Sequence, residues 1–149
     1  MLSKKAKYGL KALLFLADLP GDRSVLIADI AAHERIPKKF LDMILLEMRN
    51  AGILSSRKGK GGGYALALPP ERIRIGTVIR LLDGPLAPVA CVSQTAYRRC
   101  DDCVSEDACR VRRLMGQVRD AVAGILDSTT LADISRPVGT PDGPLNYDI

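Results

Sequence analysis

Residues 30–64 read IAAHERIPKKFLDMILLEMRNAGILSSRKGKGGGY, and this stretch decides the fold. It begins as a short helix, passes through a tight turn and continues as a second helix with one apolar face that must be buried. The apolar positions of that second helix, three or four residues apart, are Phe40, Leu41, Ile44, Leu45 and Met48. Pro37 suits the first turn of this helix, because its missing N–H would have no partner there. Asn50 and Gly52 predict its end.

A glycine-rich, basic segment follows between two strand-like runs, 53–56 and 64–68. A loop that binds nucleotide phosphates would need Gly-Lys-Ser/Thr leading into a helix, whereas these glycines lead into a strand. A solvated, flexible hairpin tip is the simpler alternative. Helix, turn, helix and basic hairpin together predict a winged helix-turn-helix, a mostly α fold with a small β-hairpin wing (α+β).

Charge is divided unevenly along the 149 residues, with a net charge of +7 in residues 1–83 and −2 in residues 84–149. A basic front half favours a nucleic-acid partner. The few aromatic residues, two Phe, four Tyr and no Trp, argue against single-strand binding by base stacking, so a double-stranded DNA operator is expected. No apolar run is long enough to span a bilayer, and we expect no membrane partner and a cytoplasmic location.

Candidate DNA contacts fall on the second helix, the hairpin and the N-terminus. Side chains expected at phosphates or in the minor groove are Lys4, Lys5, Lys38, Lys39, Arg57, Lys58 and Lys60. Those expected at base edges are Phe40, Asp42 and Met43, since a carboxylate can accept a hydrogen bond from a cytosine amine. Neighbouring positions included in the same surface are Arg49, Ser56, Gly59 and Gly61.

The rest of the chain predicts three further parts after the winged domain of residues 1–83. A cysteine-bearing loop is expected over 84–110, a long helix over 105–128, and a short terminal helix with a flexible tail over 129–149. The long helix carries a coiled-coil-like apolar repeat of Val111, Leu114, Met115, Val118, Val122 and Ile125. Packing on its own domain is one interpretation. We favour a homodimer through 105–128, because helix-turn-helix proteins normally read paired half-sites.

Four cysteines lie in one short segment with the spacing Cys91-x8-Cys100-x2-Cys103-x5-Cys109. Thiolates bind zinc and iron–sulfur clusters and also form reversible disulfides, so the spacing leaves all three open. An enzyme of the thiol oxidoreductase class would place Cys100-x-x-Cys103 at the start of a helix after a strand. This pair lies in an irregular loop between helices, so no catalytic residue is expected.

Several motifs together resemble the bacterial winged-helix regulators that include the iron–sulfur cluster regulator, the nitric-oxide-sensing repressor and a cysteine-metabolism repressor. These motifs are SKKAKYGL at 3–10, IPKKFL at 36–41, RNAGILSS at 49–56, RKGKGGGY at 57–64, ILD at 125–127 and TLADI at 130–134. The resemblance covers residues 1–135. It implies a homodimeric repressor whose long helices cross, with each cysteine loop near the partner's DNA-binding domain.

In cluster-binding members of that family, three cysteines of this loop hold the cluster. The resemblance points to Cys91, Cys103 and Cys109, because Cys103-x5-Cys109 keeps the usual last spacing. The first interval is longer than usual and contains Cys100, which is expected as a fourth ligand or a redox partner. No histidine lies near Cys109, so a two-iron and a four-iron cluster both remain open, with zinc as the alternative.

Overall fold

The computed structural model describes residues 2–135, and the flexible tail expected at the end of 129–149 lies outside them. The fold is mostly helical with one two-stranded antiparallel hairpin, as predicted. The elements in chain order are α1 (Lys4–Ala17), α2 (Ile27–Glu34), α3 (Lys38–Asn50), β1 (Leu54–Arg57), β2 (Gly63–Leu66), α4 (Ile75–Asp83), α5 (Arg110–Ser128) and α6 (Leu131–Ile134). Short 3-10 turns cover Pro70–Arg72 and Ala90–Val92.

Helix α1 forms one side of the core and packs on α3 and α4. Ser3 caps it, because its hydroxyl accepts a hydrogen bond from the N–H of Ala6 at 3.1 Å. Leu13 of α1, Leu45 of α3 and Val78 of α4 are completely buried. The apolar faces read from the sequence therefore meet in one core.

The helix-turn-helix is formed by α2 and α3. Arg35 adopts a left-handed conformation with φ of 55°, and the N–H of Ile36 returns to the carbonyl of Ala31 at 2.9 Å. Helix α2 starts at Ile27. It does not extend back to Val25, because Val25 exchanges both backbone hydrogen bonds with Tyr64, each at 2.8 Å, and so pairs with the wing.

The wing is the β1–β2 hairpin, in which Leu54 faces Leu66 and Arg57 faces Gly63. Gly63 has φ of 134°, and a Cβ at this position would collide with the backbone of Val25. Only glycine therefore lets the wing lie this close to the start of α2.

The long helix α5 begins at Arg110, five residues later than predicted. Ser105, at the predicted start, closes a local turn, with its hydroxyl accepting from the N–H of Ala108 at 3.3 Å. Glu106, the next residue, accepts a hydrogen bond from the Tyr97 hydroxyl at 2.6 Å. Cys109 caps the helix, because its sulfur accepts from the N–H of Arg112 at 3.3 Å.

Candidate DNA-binding surface and cysteine loop

The outward face of α3 is basic at its start and apolar in the middle. Lys38 and Lys39 are exposed in its first turn, and Met43 is 64% exposed one turn later. Asp42 lies 3.5 Å from the Lys38 ammonium, so its carboxylate already has an intrahelical partner. Exposed side chains at the start of a recognition helix are the ones that reach base edges in the major groove.

Phe40 lies differently from the other candidates. Its ring packs edge-to-face on Tyr8, with ring centroids 5.7 Å apart, and it is half-buried against the core. The ring therefore joins α1 to α3, and its contact with bases remains a prediction.

The wing tip presents its charges to solvent. Its exposed candidate residues are Ser56, Arg57, Lys58, Gly59, Lys60 and Gly61. Arg49 of α3 approaches Ser56 of β1, with its guanidinium 3.4 Å from the hydroxyl. This contact ties the recognition helix to the wing, so the two basic elements form one surface.

The N-terminal lysines have different surroundings. Lys4 is exposed, whereas the Lys5 ammonium lies 2.6 Å from the Glu47 carboxylate of α3. A phosphate contact by Lys5 would thus compete with an existing ion pair, and for both lysines the DNA role remains a prediction.

Sequence reasoning missed two exposed side chains on the same face of α3, Leu46 and Asn50. Leu46 is 43% exposed and lies three residues after Met43, and Asn50 lies four residues further. This three- and four-residue spacing from Met43 was the signal that could have found them.

The cysteine loop folds back on itself near the start of α5. The N–H of Arg98 donates to the carbonyl of Ala90 at 3.2 Å, so the segment leading to Cys100 runs beside the turn that holds Cys91. Cys91 is buried, with 6% of its surface exposed, and Cys100 is exposed. The N–H of Cys103 returns to the carbonyl of Cys100 at 3.2 Å, which places the Cys-x-x-Cys pair in a turn and not at a helix start.

Two of the other thiols act on Cys100. A hydrogen bond to Cys91 is the main cause that raises the pKa of the Cys100 thiol. The charge of Cys91 raises it further, followed by desolvation and by the charges of Asp102 and Cys109. All four cysteines are free thiols. Within residues 2–135, no three His, Cys, Asp or Glu side chains are grouped to hold a metal ion.

The apolar stripe of α5 is exposed among the residues that the structure describes. Its members are exposed by 38–66%, namely Val111, Leu114, Val118, Val122 and Ile125. Met115, expected in the same repeat, is half-buried. Within residues 2–135 these five side chains are exposed, which favours an interface with a second chain over packing on their own domain.

Both ends of α5 are bonded to other parts of the molecule. Near its start, Arg112 donates to the Cys91 carbonyl at 3.4 Å, and at its middle Arg119 donates to the Val92 carbonyl at 2.6 Å. Near its end, the Arg80 guanidinium of α4 forms two hydrogen bonds to Asp127, at 2.5 and 2.9 Å. Arg80 lowers the pKa of Asp127, mainly through its hydrogen bond. The helix therefore connects the cysteine loop to the winged domain.

None of the helices in residues 2–135 combines the length and the apolarity needed to span a bilayer. A recognition helix tied to a basic wing defines a winged-helix DNA-binding protein, and this one carries a cysteine loop on a helix with an exposed apolar stripe. A model of the Rrf2 family, described as iron-dependent transcriptional regulators, matches residues 2–137. The chain belongs to this family and is a DNA-binding transcriptional regulator.

Individual relatives are similar over nearly the whole chain. The chain is 42% identical to a putative rrf2-like HTH-type transcriptional regulator of Rhodobacter capsulatus, over 99% of this chain and 100% of the relative. The structure of CymR, the global cysteine regulator of B. subtilis, superposes with a TM-score of 0.74 at 33% identity, over 91% of this chain and 95% of that one. The structure of T. potens IscR superposes with a TM-score of 0.69 at 29% identity, over 90% and 85%.

Proposed function

We propose that the protein is a homodimeric repressor that binds a double-stranded operator in the cytoplasm, with an affinity set by an iron–sulfur cluster on its cysteine loop. The observation that carries this proposal is the position of α5. This single helix bears the exposed apolar stripe, is bonded to the loop at one end and is bonded to the winged domain at the other.

The dimer is supported by the chemistry of the stripe. Apolar side chains that recur at coiled-coil spacing and stay exposed in one chain gain free energy when they are buried against a second chain. An antiparallel or crossed pair of α5 helices would give the two recognition helices the twofold relation that paired half-sites require.

The DNA contacts follow from charge and exposure. Lys38, Lys39, Lys58 and Lys60 are exposed on the joined surface of α3 and wing, and they would neutralise phosphates. Met43 and Asp42 are the candidates for reading bases, and Asp42 would have to exchange Lys38 for a base amine.

The thiols fit an iron–sulfur cluster in the kind of donor they supply. Cys91 and Cys109 are both close enough to affect Cys100, and Arg112 contacts both the Cys109 sulfur and the Cys91 carbonyl. When bound, a cluster would tie thiolates from separate parts of the loop to one centre. Cys103 is the third ligand that the resemblance implies, and the Arg99 guanidinium holds its carbonyl at 3.0 Å.

The signal would reach the DNA through protein contacts that are already formed. Arg112 and Arg119 would transmit a change in the loop to α5, and the Arg80–Asp127 pair would transmit it to α4 and the winged domain. A tenfold change in operator affinity corresponds to about 1.4 kcal/mol, which a few altered contacts can supply.

The test uses protein purified without oxygen and an operator selected from a random duplex library. An iron–sulfur cluster gives visible absorbance, whereas zinc leaves the protein colourless. Operator affinity is then measured by fluorescence anisotropy for the cluster-loaded and the cluster-free protein. Equal affinities would show that the cluster does not regulate DNA binding, although the protein would still bind DNA. Colourless protein that contains zinc would favour a zinc-stabilised regulator.

A further inference from the structure

The cysteine loop contains one thiol pair that its fold brings together without any metal. We propose that Cys91 and Cys100 form a reversible intramolecular disulfide when the loop carries no cluster. The effect of this disulfide on operator affinity rests on the proposed function, whereas its formation does not.

The backbone of the loop brings these two cysteines near each other. The Arg98 N–H bonds to the Ala90 carbonyl at 3.2 Å, one residue before Cys91 and two before Cys100. The turn between them is closed by the Ser93 hydroxyl, which accepts from the Ala96 N–H at 2.9 Å. A loop of this size costs little chain entropy to close further.

The Cys91 side of the pair is held firmly. Its turn is fixed to α5 by Arg112 at the Cys91 carbonyl and by Arg119 at the Val92 carbonyl. Cys91 is buried and Cys100 is exposed. An exposed thiol meets the oxidant first and a buried neighbour then resolves it, which divides the two roles.

Cys103 is a poorer partner, although it lies closer to Cys100 in sequence. The backbone of the turn between the two is fixed by the hydrogen bond from the Cys103 N–H to the Cys100 carbonyl at 3.2 Å. Arg99 also holds the carbonyls of Cys103 and Val104, at 3.0 and 3.4 Å. We therefore expect Cys103 to stay reduced while Cys91 and Cys100 react.

The oxidant is a peroxide. The Cys100 sulfur attacks one peroxide oxygen, the O–O bond breaks, the thiol proton passes to the departing oxygen, and Cys100 becomes a sulfenic acid as water leaves. The Cys91 sulfur then attacks the Cys100 sulfur, the S–O bond breaks, and a second water leaves. Two thiols and one hydrogen peroxide thus give one disulfide and two waters. A dithiol reductant reverses the change by exchange.

A cluster and the disulfide would compete for the same sulfur atoms. Cys91 in a disulfide has no thiolate to offer a metal, so the oxidised chain should resist cluster reconstitution until it is reduced. The pair would keep cluster-free protein in a recoverable state, because a disulfide can be reduced whereas further oxidised thiols cannot.

The experiment treats cluster-free protein with hydrogen peroxide, blocks the remaining thiols and digests the chain with trypsin. Cleavage after Arg80, Arg98, Arg99 and Arg110 separates peptide 81–98, with Cys91, from peptide 100–110, with the other three cysteines. We expect the free-thiol count to fall from four to two and the two peptides to be joined by a dithiothreitol-sensitive bond.

Matched serine variants identify the bonded sulfurs. Cys91→Ser and Cys100→Ser should lose the joined peptides, whereas Cys103→Ser and Cys109→Ser should keep them. A joined pair in Cys100→Ser, a disulfide within peptide 100–110, or four thiols still free in the wild type would overturn the proposal. The wild-type map is decisive even if a variant fails to fold. Operator binding by the reduced protein is measured in parallel, so failure of the disulfide is distinguished from failure of the proposed DNA-binding function.

Discussion

Replacing Leu114 by Ala tests whether the apolar stripe of α5 is a dimer interface. Leu114 is 54% exposed in the single chain, and the substitution removes three carbon atoms from its side chain. A buried carbon contributes about 0.8 kcal/mol, so the exposed half of these carbons corresponds to about 1 kcal/mol per subunit. Both subunits of a twofold dimer carry the substitution at the interface, so the loss occurs twice. Dimerisation should therefore weaken by about 2 kcal/mol, or about thirtyfold in Kd.

Sedimentation equilibrium over a range of protein concentrations measures this change. The matched control is Gln117→Ala, which changes an exposed side chain on another face of α5 and should leave the dimer constant unchanged. The proposal that the stripe is a dimer interface is refuted if the wild type sediments as a monomer at micromolar concentration. It is also refuted if Leu114→Ala dimerises as tightly as Gln117→Ala.

Three further changes test the DNA surface, the wing and the joint between α4 and α5. Lys58→Ala should weaken binding to all duplexes alike and reduce the slope of log affinity against log salt by about one, measured by anisotropy in a salt series. Gly63→Ala should lower the free energy of unfolding by about 1–3 kcal/mol in urea titrations, because φ of 134° is strained for alanine and its Cβ meets Val25. Asp127→Asn should lower thermal stability at neutral pH and remove part of its acid dependence. The pKa of Asp127 is lowered in the folded chain, so its contribution is present above the pKa of an unfolded aspartate and is lost as pH falls below about 4.

Each of these changes has a control within the chain. Glu71→Ala, an exposed acidic residue outside the predicted DNA surface, should keep the salt slope. Gly124→Ala makes the same chemical change as Gly63→Ala in an exposed helical position with open space and should stabilise by about 0.5–1 kcal/mol. Asp120→Asn is the control for Asp127→Asn. If the thermal stability of the two variants depended on acid pH to the same extent, this would contradict the role of the Arg80–Asp127 pair.

The elements of the winged domain could be predicted because they depend on short-range patterns. The spacing of Leu41, Ile44, Leu45 and Met48 fixes the buried face of α3 whatever it packs against. The basic, glycine-rich run has no helical alternative, so the hairpin follows from local chemistry.

The differences arise where a distant partner outweighs a local signal. Ser105 and Glu106 have the residue types of a helix start, but the Tyr97 hydroxyl donates a hydrogen bond to the Glu106 carboxylate, and the helix is capped by Cys109 and begins at Arg110. Val25 stays outside α2, because its backbone forms two hydrogen bonds with that of Tyr64.

The candidate site shows the same limit. Exposed lysines on α3 and the wing follow from charge and spacing, whereas the Arg80–Asp127 pair joins residues 47 positions apart and has no short-range signature. The neighbourhood of Cys91 and Cys100 likewise depends on the Arg98–Ala90 bond, which no sequence spacing encodes.

The firm attachment of α5 at both ends has a geometric consequence for a dimer. Nineteen residues make a rod of about 28 Å, so a change of about 5° in the angle between two such rods moves their far ends by about 2 Å. Hydrogen bonds to bases tolerate only a few tenths of an ångström. In such a dimer each winged domain is attached to its own α5 helix. A small rotation between the two helices, which leaves each subunit folded, therefore changes the spacing of the two recognition helices enough that they no longer match two half-sites one turn of DNA apart.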